Sequence, residues 1–460
     1  MKNTLKLIGF IALTALIGFS FAACKHSSDP EDPGTNVFWS MDEVSAYLST
    51  AAGGSNPTNA IPLAVNIYLG TMTDASSAWR QLLSALEATG KLVKLDLSES
   101  SFYGTEFNPD NSVSTGKEYI VSFILPNTAK SITNVPKFAT FRYFSNLAYC
   151  SGANVISIGD GAFADCVLQS VSFPAAENIG ESAFECCTAL ESVSFPAVKS
   201  IGGEAFIECT VLKSVSFPLA TSIGEDAFTF CTALESVSFP AVMSIDFDAF
   251  ACCTALQSVS FPAAASIGDC VFAGCTSLTS FTLSGSGPLS VIENGKVLVR
   301  NNTELLAYPS ASGSITLTTI TSIGCAAFTG CTALKNASFP EAESIGVDAF
   351  ADCTALQSAS FPAAESINEC AFAGCTSLES VNIPAITSIG KDAFDDTGST
   401  SLNITMGSAA PTLGAYIFYD VKTIKPVTVR VPSGATGYDP AWQNAFTGGN
   451  SYINLSIVEY

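Results

Sequence analysis

Histidine is all but missing from this chain of 460 residues; the single one is His26. Nucleophilic catalysis of the Ser-His or Cys-His kind therefore has no base, and a zinc site has lost its commonest nitrogen ligand. Positive charge is scarce too. Lys and Arg number 19 against 41 Asp and Glu, a formal net charge of -22, which disfavours nucleic acid and anionic lipid as partners and favours solubility. No Gly-rich phosphate loop follows a strand and opens a helix. Carboxylate pairs do occur, but in near-identical copies, whereas a catalytic pair is a singular constellation held in a cleft. No catalytic residue, cofactor-binding residue or metal ligand is assigned, and the chain is expected not to be an enzyme.

The first apolar run is short, Leu7 to Phe19, with Lys2 and Lys6 before it and Phe21-Ala22-Ala23-Cys24 behind it. A basic start, an apolar stretch and small residues make an export leader. The ending resembles a bacterial lipoprotein signal, whose cysteine becomes the lipidated first residue, with Phe21 where Leu is usual. The resemblance implies a signal peptide over 1–23, lipid attachment at Cys24 and a membrane contact through that lipid. An ordinary secretory leader or an uncleaved anchor is the alternative. In either case the chain leaves the cytoplasm, to the outer membrane or cell surface or to a periplasm-facing position. Without the leader the balance is 17 basic residues against 41 acidic, or -24. The polar, Pro-containing stretch 24–36 reads as a tether.

What the chain has in abundance is one sentence repeated. Read from its cysteine, the unit is C-T-A-L-x-S-V-S-F-P-A-x-x-S-I-G-x-x-A-F-x-x, 22 residues long. Its Ile recurs ten times from Ile158 to Ile389, with a Phe five residues later each time, from Phe163 to Phe394. A fixed period of this size marks a solenoid, in which one coil cannot bury its apolar face alone and stability belongs to the stack. Within a coil the strand is the S-V-S-F step. Val193 and Phe195 point inward with Leu190, so Ser192 and Ser194 point outward. Stacking turns the outward positions into columns, Ser192, Ser214, Ser236 and Ser258 in one and Ser194, Ser216, Ser238 and Ser260 in the other, flanked by Glu191, Lys213 and Glu235. This hydroxyl carpet is the candidate interaction face; a small polar residue merely tolerated on a strand is the bland alternative.

Before the repeats, residues 37–150 read as an α/β capping region. Ser40 with Glu43 is a capping box for a helix ending near Gly53-Gly54, Leu63 to Leu69 alternates as a strand, and Ala75 to Thr89 is a helix stopped by Gly90. Lys91 to Leu97 and Tyr119 to Leu125 are further strands. Both ends of the stack are expected to be covered, because terminal coils expose core and an open sheet edge.

The units F-x-x-C-T-x-L-x-S-V-x-F-P-x-x-x-S-I-G-x-x-A-F resemble the BspA-type leucine-rich repeats of bacterial surface lipoproteins and adhesins, from about Ile156 to the C-terminus. The interruption from Val291 to Leu298, followed by Thr303 to Pro309, is similar to the hairpin-like divergent unit of that family. Leu413 to Phe418 and Val427 to Pro432 resemble its degenerate closing repeat. This chain departs in using 22 residues where 23 is frequent, through a shorter link after the proline. The resemblance implies an α/β repeat protein: a leucine-rich repeat solenoid of stacked short parallel strands, with an α/β N-terminal cap and a degenerate C-terminal repeat cap. Repeats are expected over 151–280 and 321–400, the divergent hairpin over 281–320 and the closing repeats over 401–460. It also implies a module that binds other proteins, such as host matrix or plasma proteins or other bacterial surfaces. A structural envelope lipoprotein without a host ligand and a carbohydrate-binding hydroxyl face are the alternatives; the last is disfavoured because the repeat aromatics read as core rather than exposed platforms.

Nine of the 16 cysteines fall three residues after the core Phe, from Cys166 to Cys375. They are expected as a column of free, buried, small apolar thiols, since one cysteine per repeat offers no paired spacing for a disulfide framework. Cys150, Cys186, Cys252, Cys270, Cys325 and Cys370 break the consensus. The gaps Cys270 to Cys275 and Cys370 to Cys375 look like metal pairs but are not expected to converge. Acids following the I-G step, among them Glu204, Asp226, Asp248, Asp348 and Asp392, are expected as a solvated edge rather than a calcium stripe.

Overall fold

The computed structural model describes residues 37–110, 112–133, 140–283, 287–397, 401–418, 425–448, 450 and 452–460. The expected leader, the tether, Cys24 and His26 lie outside the described residues.

Ser40 accepts the N–H of Glu43 and opens helix α1 (Met41–Thr50), while the Glu43 carboxylate reaches past Ser40 to the N–H of Trp39 at 2.8 Å. Helix α2 (Ala78–Thr89) starts at its cap Ser77 and stops where Gly90 turns left-handed, burying Trp79, Leu82, Leu83 and Leu86. Strands Ile61–Val65, Val93–Asp96 and Ile120–Ile124 pair in parallel. The first is shorter than the alternation of 63–69 implies. Ser100 Oγ donates to the Val65 carbonyl and accepts the N–H of Ile67, so a side chain takes the bonds a ladder would need. The same sheet runs on through Tyr149–Ser151 into Ser170–Ser172, joining cap to repeats.

Each regular coil holds two short parallel strands rather than the one expected. Besides S-V-S there is a two-residue strand at the S-I step, and these form an eight-stranded sheet from Glu106–Phe107 to Ser266–Ile267. Two residues are too few to show alternation, which is why the pattern hides them. Two phenylalanine columns fill the space between the strands. Phe184, Phe206, Phe228 and Phe250 stack with centroids 5.1, 5.3 and 5.2 Å apart, and Phe195, Phe217, Phe239 and Phe261 with centroids 5.6, 5.9 and 6.0 Å apart.

The divergent unit is an antiparallel meander, Leu289–Ile292, Val297–Arg300 and Glu304–Ala307, whose last strand rejoins the parallel ladder with Leu305 opposite Ile323. Tyr308 takes the place of the core Phe: its N–H goes to the Ala327 carbonyl, as that of Phe328 goes to Ala349. Only three residues separate Leu305 from Tyr308, against five from Ile323 to Phe328. The outer turn of this coil is therefore cut back, and its neighbours meet across the gap through a disulfide, Cys270–Cys325, with Cα atoms 5.1 Å apart. Cys270 and Cys325 both lie off the one-per-coil thiol column.

The chain closes with parallel strands Leu402–Met406, Lys425–Val431 and Ile453–Glu459 and helix α3 (Pro440–Thr447). Among the described residues nothing pairs with the outer edge of Ile453–Glu459. Helix α3 packs on the preceding coil through Trp442 Nε1 to the Pro411 carbonyl and Phe446 on Phe418.

Candidate interaction face

The serine columns stand in direct register: Ser192 opposite Ser214, Ser194 opposite Ser216, Ser236 opposite Ser258 and Ser238 opposite Ser260. Val193, Val237 and Val259 between them are buried, and none of the eight serines is. Beside them Lys213 Nζ lies 3.4 Å from Glu191, an exposed pair of little energetic weight, and Glu235 is exposed. The result is a flat strip of hydroxyls with a mixed-charge margin. The periodic phenylalanines are buried, while Phe230 and Phe247, which fall off the Phe period, are 45% and 41% exposed.

The thiol column is buried as expected, but it is more than small apolar filling. Cys209, Cys231, Cys253 and Cys275 each donate Sγ–H to the carbonyl of the core Phe one coil back, at 3.1–3.2 Å. Burial pushes the Cys166 and Cys209 thiols up to about 12, so the donor proton stays on at any physiological pH. Cys186, Cys252 and Cys370 sit part-exposed on the outer turns, which separates Cys370 from the buried Cys375.

Cys370 does approach Glu369 and Asp392, their ligand atoms all within 4.8 Å of one another. Lys391 Nζ already lies 2.9 Å from both carboxylates, and burial followed by the Asp348 and Asp392 charges pushes the thiol up to about 11. The cluster is thus a surface ion-pair network in which Lys391 bridges the two carboxylates.

On the acidic edge Glu204, Asp226, Asp248, Asp348 and Asp392 all occupy the left-handed region, three residues after the Ile of each coil. Burial, then the Asp226 and Glu225 charges, push the Asp248 carboxyl up to about 6. Because this exceeds its unfolded value of about 3.9, the folded state takes the proton first, and stability falls as pH rises from about 4 through 6. Asp248→Asn is expected to raise the thermal midpoint at pH 7.5 and to leave less difference between pH 5 and pH 7.5. Solvent screening keeps the gain below about 1 kcal/mol. Equal pH dependence of the two melting curves would refute it.

Sequence reasoning missed Lys117. It is fully buried in the cap, donates to the Asp110 carbonyl at 2.6 Å and lies 5.5 Å from the centroid of Phe144; burial brings the ammonium down to about 8. Nothing in its spacing marks it as internal.

Stacked short parallel strands around a shared apolar interior define a leucine-rich repeat solenoid. The chain belongs to the BspA type leucine rich repeat region family, which matches residues 112–221, 199–297 and 306–425. Among solved structures it is similar to the pneumococcal vaccine antigen PcpA, at 18% identity over 74% of this chain and 85% of that one, with a TM-score of 0.48. It is also similar to a leucine rich cell surface protein of Faecalibacterium prausnitzii, at 23% identity over 74% and 87%, TM-score 0.48. A leucine-rich repeat protein of Bacteroides ovatus matches at 22% identity over 72% and 88%, TM-score 0.42. No curated protein matches the sequence. Among the described residues no helix is long and apolar enough to cross a membrane.

Proposed function

We propose that this chain is an exported lipoprotein, held to a membrane through Cys24, whose serine face docks other proteins in adhesion without catalysis. The observation that carries the reading is the register of the columns: identical hydroxyls repeat from coil to coil with no bulky side chain among them, a surface an extended or flat partner can lie along. The family supports it, being one of repeat proteins used for interaction. The Cys270–Cys325 bond supports export, because disulfides persist in oxidising compartments and are rare in the cytosol.

Two measurements test this. Protease shaving of intact cells is expected to remove the repeats; their survival would place them facing the periplasm and favour a structural envelope role. On an array of matrix and plasma proteins, the mature chain is expected to bind at least one, and Ser214→Arg with Ser236→Arg is expected to weaken that binding about tenfold, or 1.4 kcal/mol. Binding that is indifferent to both substitutions would move the site off this face.

A further inference from the structure

The cap holds tyrosine rings in solvent. Tyr103 is 74% and Tyr68 59% exposed. Tyr68 stands opposite Ser101 in a single parallel bridge, and two residues beyond Ser101 the N–H of Tyr103 donates to the Gly70 carbonyl at 3.0 Å, so the two rings rise from adjoining segments. Tyr103 borders a cleft of about 450 Å³, within the roughly 300–1,000 Å³ of small-ligand sites. Buried Met72 and Phe102 line its base, and Phe102 is held edge-on against Phe107 with centroids 5.9 Å apart. The cleft is therefore formed before anything enters it.

Around that base stand the hydroxyls of Thr71, Thr73 and Thr105 and the carboxylate of Glu106, all exposed and, among the described residues, making no side-chain hydrogen bond. A second hollow of about 390 Å³ shares Glu106 with the first. It runs along the eight-stranded sheet, where Glu106 stands opposite Ser131, Ser131 opposite Ser157 and Ser157 opposite Asn178. Gly159 and Gly180 line it without a side chain. The two hollows make one trough from the cap onto the first repeats, with Glu106 at its middle.

The lining selects the ligand. Among the described residues neither hollow is lined by lysine or arginine, so a phosphate, sulfate or uronate would meet no counter-charge. An exposed tyrosine ring offers an apolar platform to the C–H face of a pyranose, and the two oxygens of a carboxylate accept from a pair of neighbouring sugar hydroxyls. The polar column of Glu106, Ser131, Ser157 and Asn178 repeats at the strand spacing of about 4.8 Å, close to the advance of one hexose along an extended glycan. We propose that this trough binds a neutral oligosaccharide, with Tyr103 against one sugar ring and Glu106 on the hydroxyls of the next. The site lies on the cap and the eight-stranded sheet, apart from the serine strip, and stands whether or not that strip docks a protein.

Saturation-transfer NMR tests it on the mature chain with cellohexaose, xylohexaose, mannohexaose and maltohexaose, each at about 1 mM to suit the weak affinity of an open site. At least one is expected to receive saturation. Tyr103→Ala and Glu106→Gln are each expected to weaken its binding about tenfold or more, Tyr103→Phe to keep most of it, and Ser214→Arg with Ser236→Arg to leave it unchanged. All four positions are exposed, and every variant is expected to keep the far-UV circular dichroism of the parent. Three results overturn the proposal: no transfer to any of the four sugars, transfer undiminished in both Tyr103→Ala and Glu106→Gln, or binding of a sulfated hexasaccharide or an extended peptide through Tyr103 in place of these sugars.

Discussion

Replacing Cys270 and Cys325 together by serine is expected to lower stability by about 2–4 kcal/mol, the range for a bond that closes a loop of 55 residues. The place makes it the most consequential bond in the stack. Between regular coils the outer turns are laced by backbone hydrogen bonds, for example Phe228 N–H to the Ala249 carbonyl and Phe250 N–H to Val271. Among the described residues no such bond leaves the N–H groups of Cys270, Phe272 or Gly274 for the coil that follows. The phenylalanine column is interrupted at the same level: Phe272 packs on Phe250 and Phe281, and Phe328 on Tyr308. The buried side chains correspondingly form two clusters, one ending at Ala307 and the other beginning at Val297. The disulfide crosses the seam, together with Arg300 Nη2 donating to the Ile267 carbonyl at 2.6 Å and the meander strands, which place Leu298 in one cluster and Val297 and Val299 in the other.

Urea denaturation with and without dithiothreitol measures the effect. The parent under reductant is expected to match the double variant, and the variant to be indifferent to reductant. Hydrogen exchange is expected to rise first at 268–274 and 322–330, on either side of the seam. A variant as stable as the parent, with unchanged exchange there, would show that the coils are held by their other contacts.

This bond also shows where the legibility of the sequence ends. The regular coils are readable because Ile201, Phe206 and Cys209 recur at constant spacing, and constant spacing is itself a statement about stacking. Cys270 and Cys325 meet because the divergent coil is two residues short between Leu305 and Tyr308. That shortfall becomes visible only once Leu305 is known to lie opposite Ile323. The second strand of each coil escapes for a different reason, being two residues long. The thiol-to-carbonyl bonds escape because a period reports that a residue is inside and says nothing of what it donates to. The serine face is legible as geometry, since Ser192 must fall on Ser214 when the period holds. Its partner is not legible, because the coils from Ser192 to Ser260 present the same two hydroxyls and no chemistry singles out a ligand.

The core aromatics carry the other large expectation. Phe228→Ala is expected to cost about 3–5 kcal/mol, the range for removing a buried aromatic ring. Phe228 is fully buried between Phe206 and Phe250, at 5.3 and 5.2 Å with planes within 5° of parallel, and it also touches Phe217 and Phe239. Neither neighbour can close on the cavity, because each is fixed by the coil beyond it. Phe272→Ala is expected to cost less: Phe272 is 5% exposed and has a parallel ring partner, Phe250, on one side only. In a stack whose units touch only their neighbours, such a defect divides the array instead of weakening it evenly. Exchange protection is therefore expected to fall over 206–250 in the Phe228→Ala chain, while the strands of the cap and of the C-terminal coils keep theirs. A loss under about 1 kcal/mol, as at ordinary surface sites, or equal losses at Phe228 and Phe272, would mean that the rings are held by their own coil and that stacking between coils adds little.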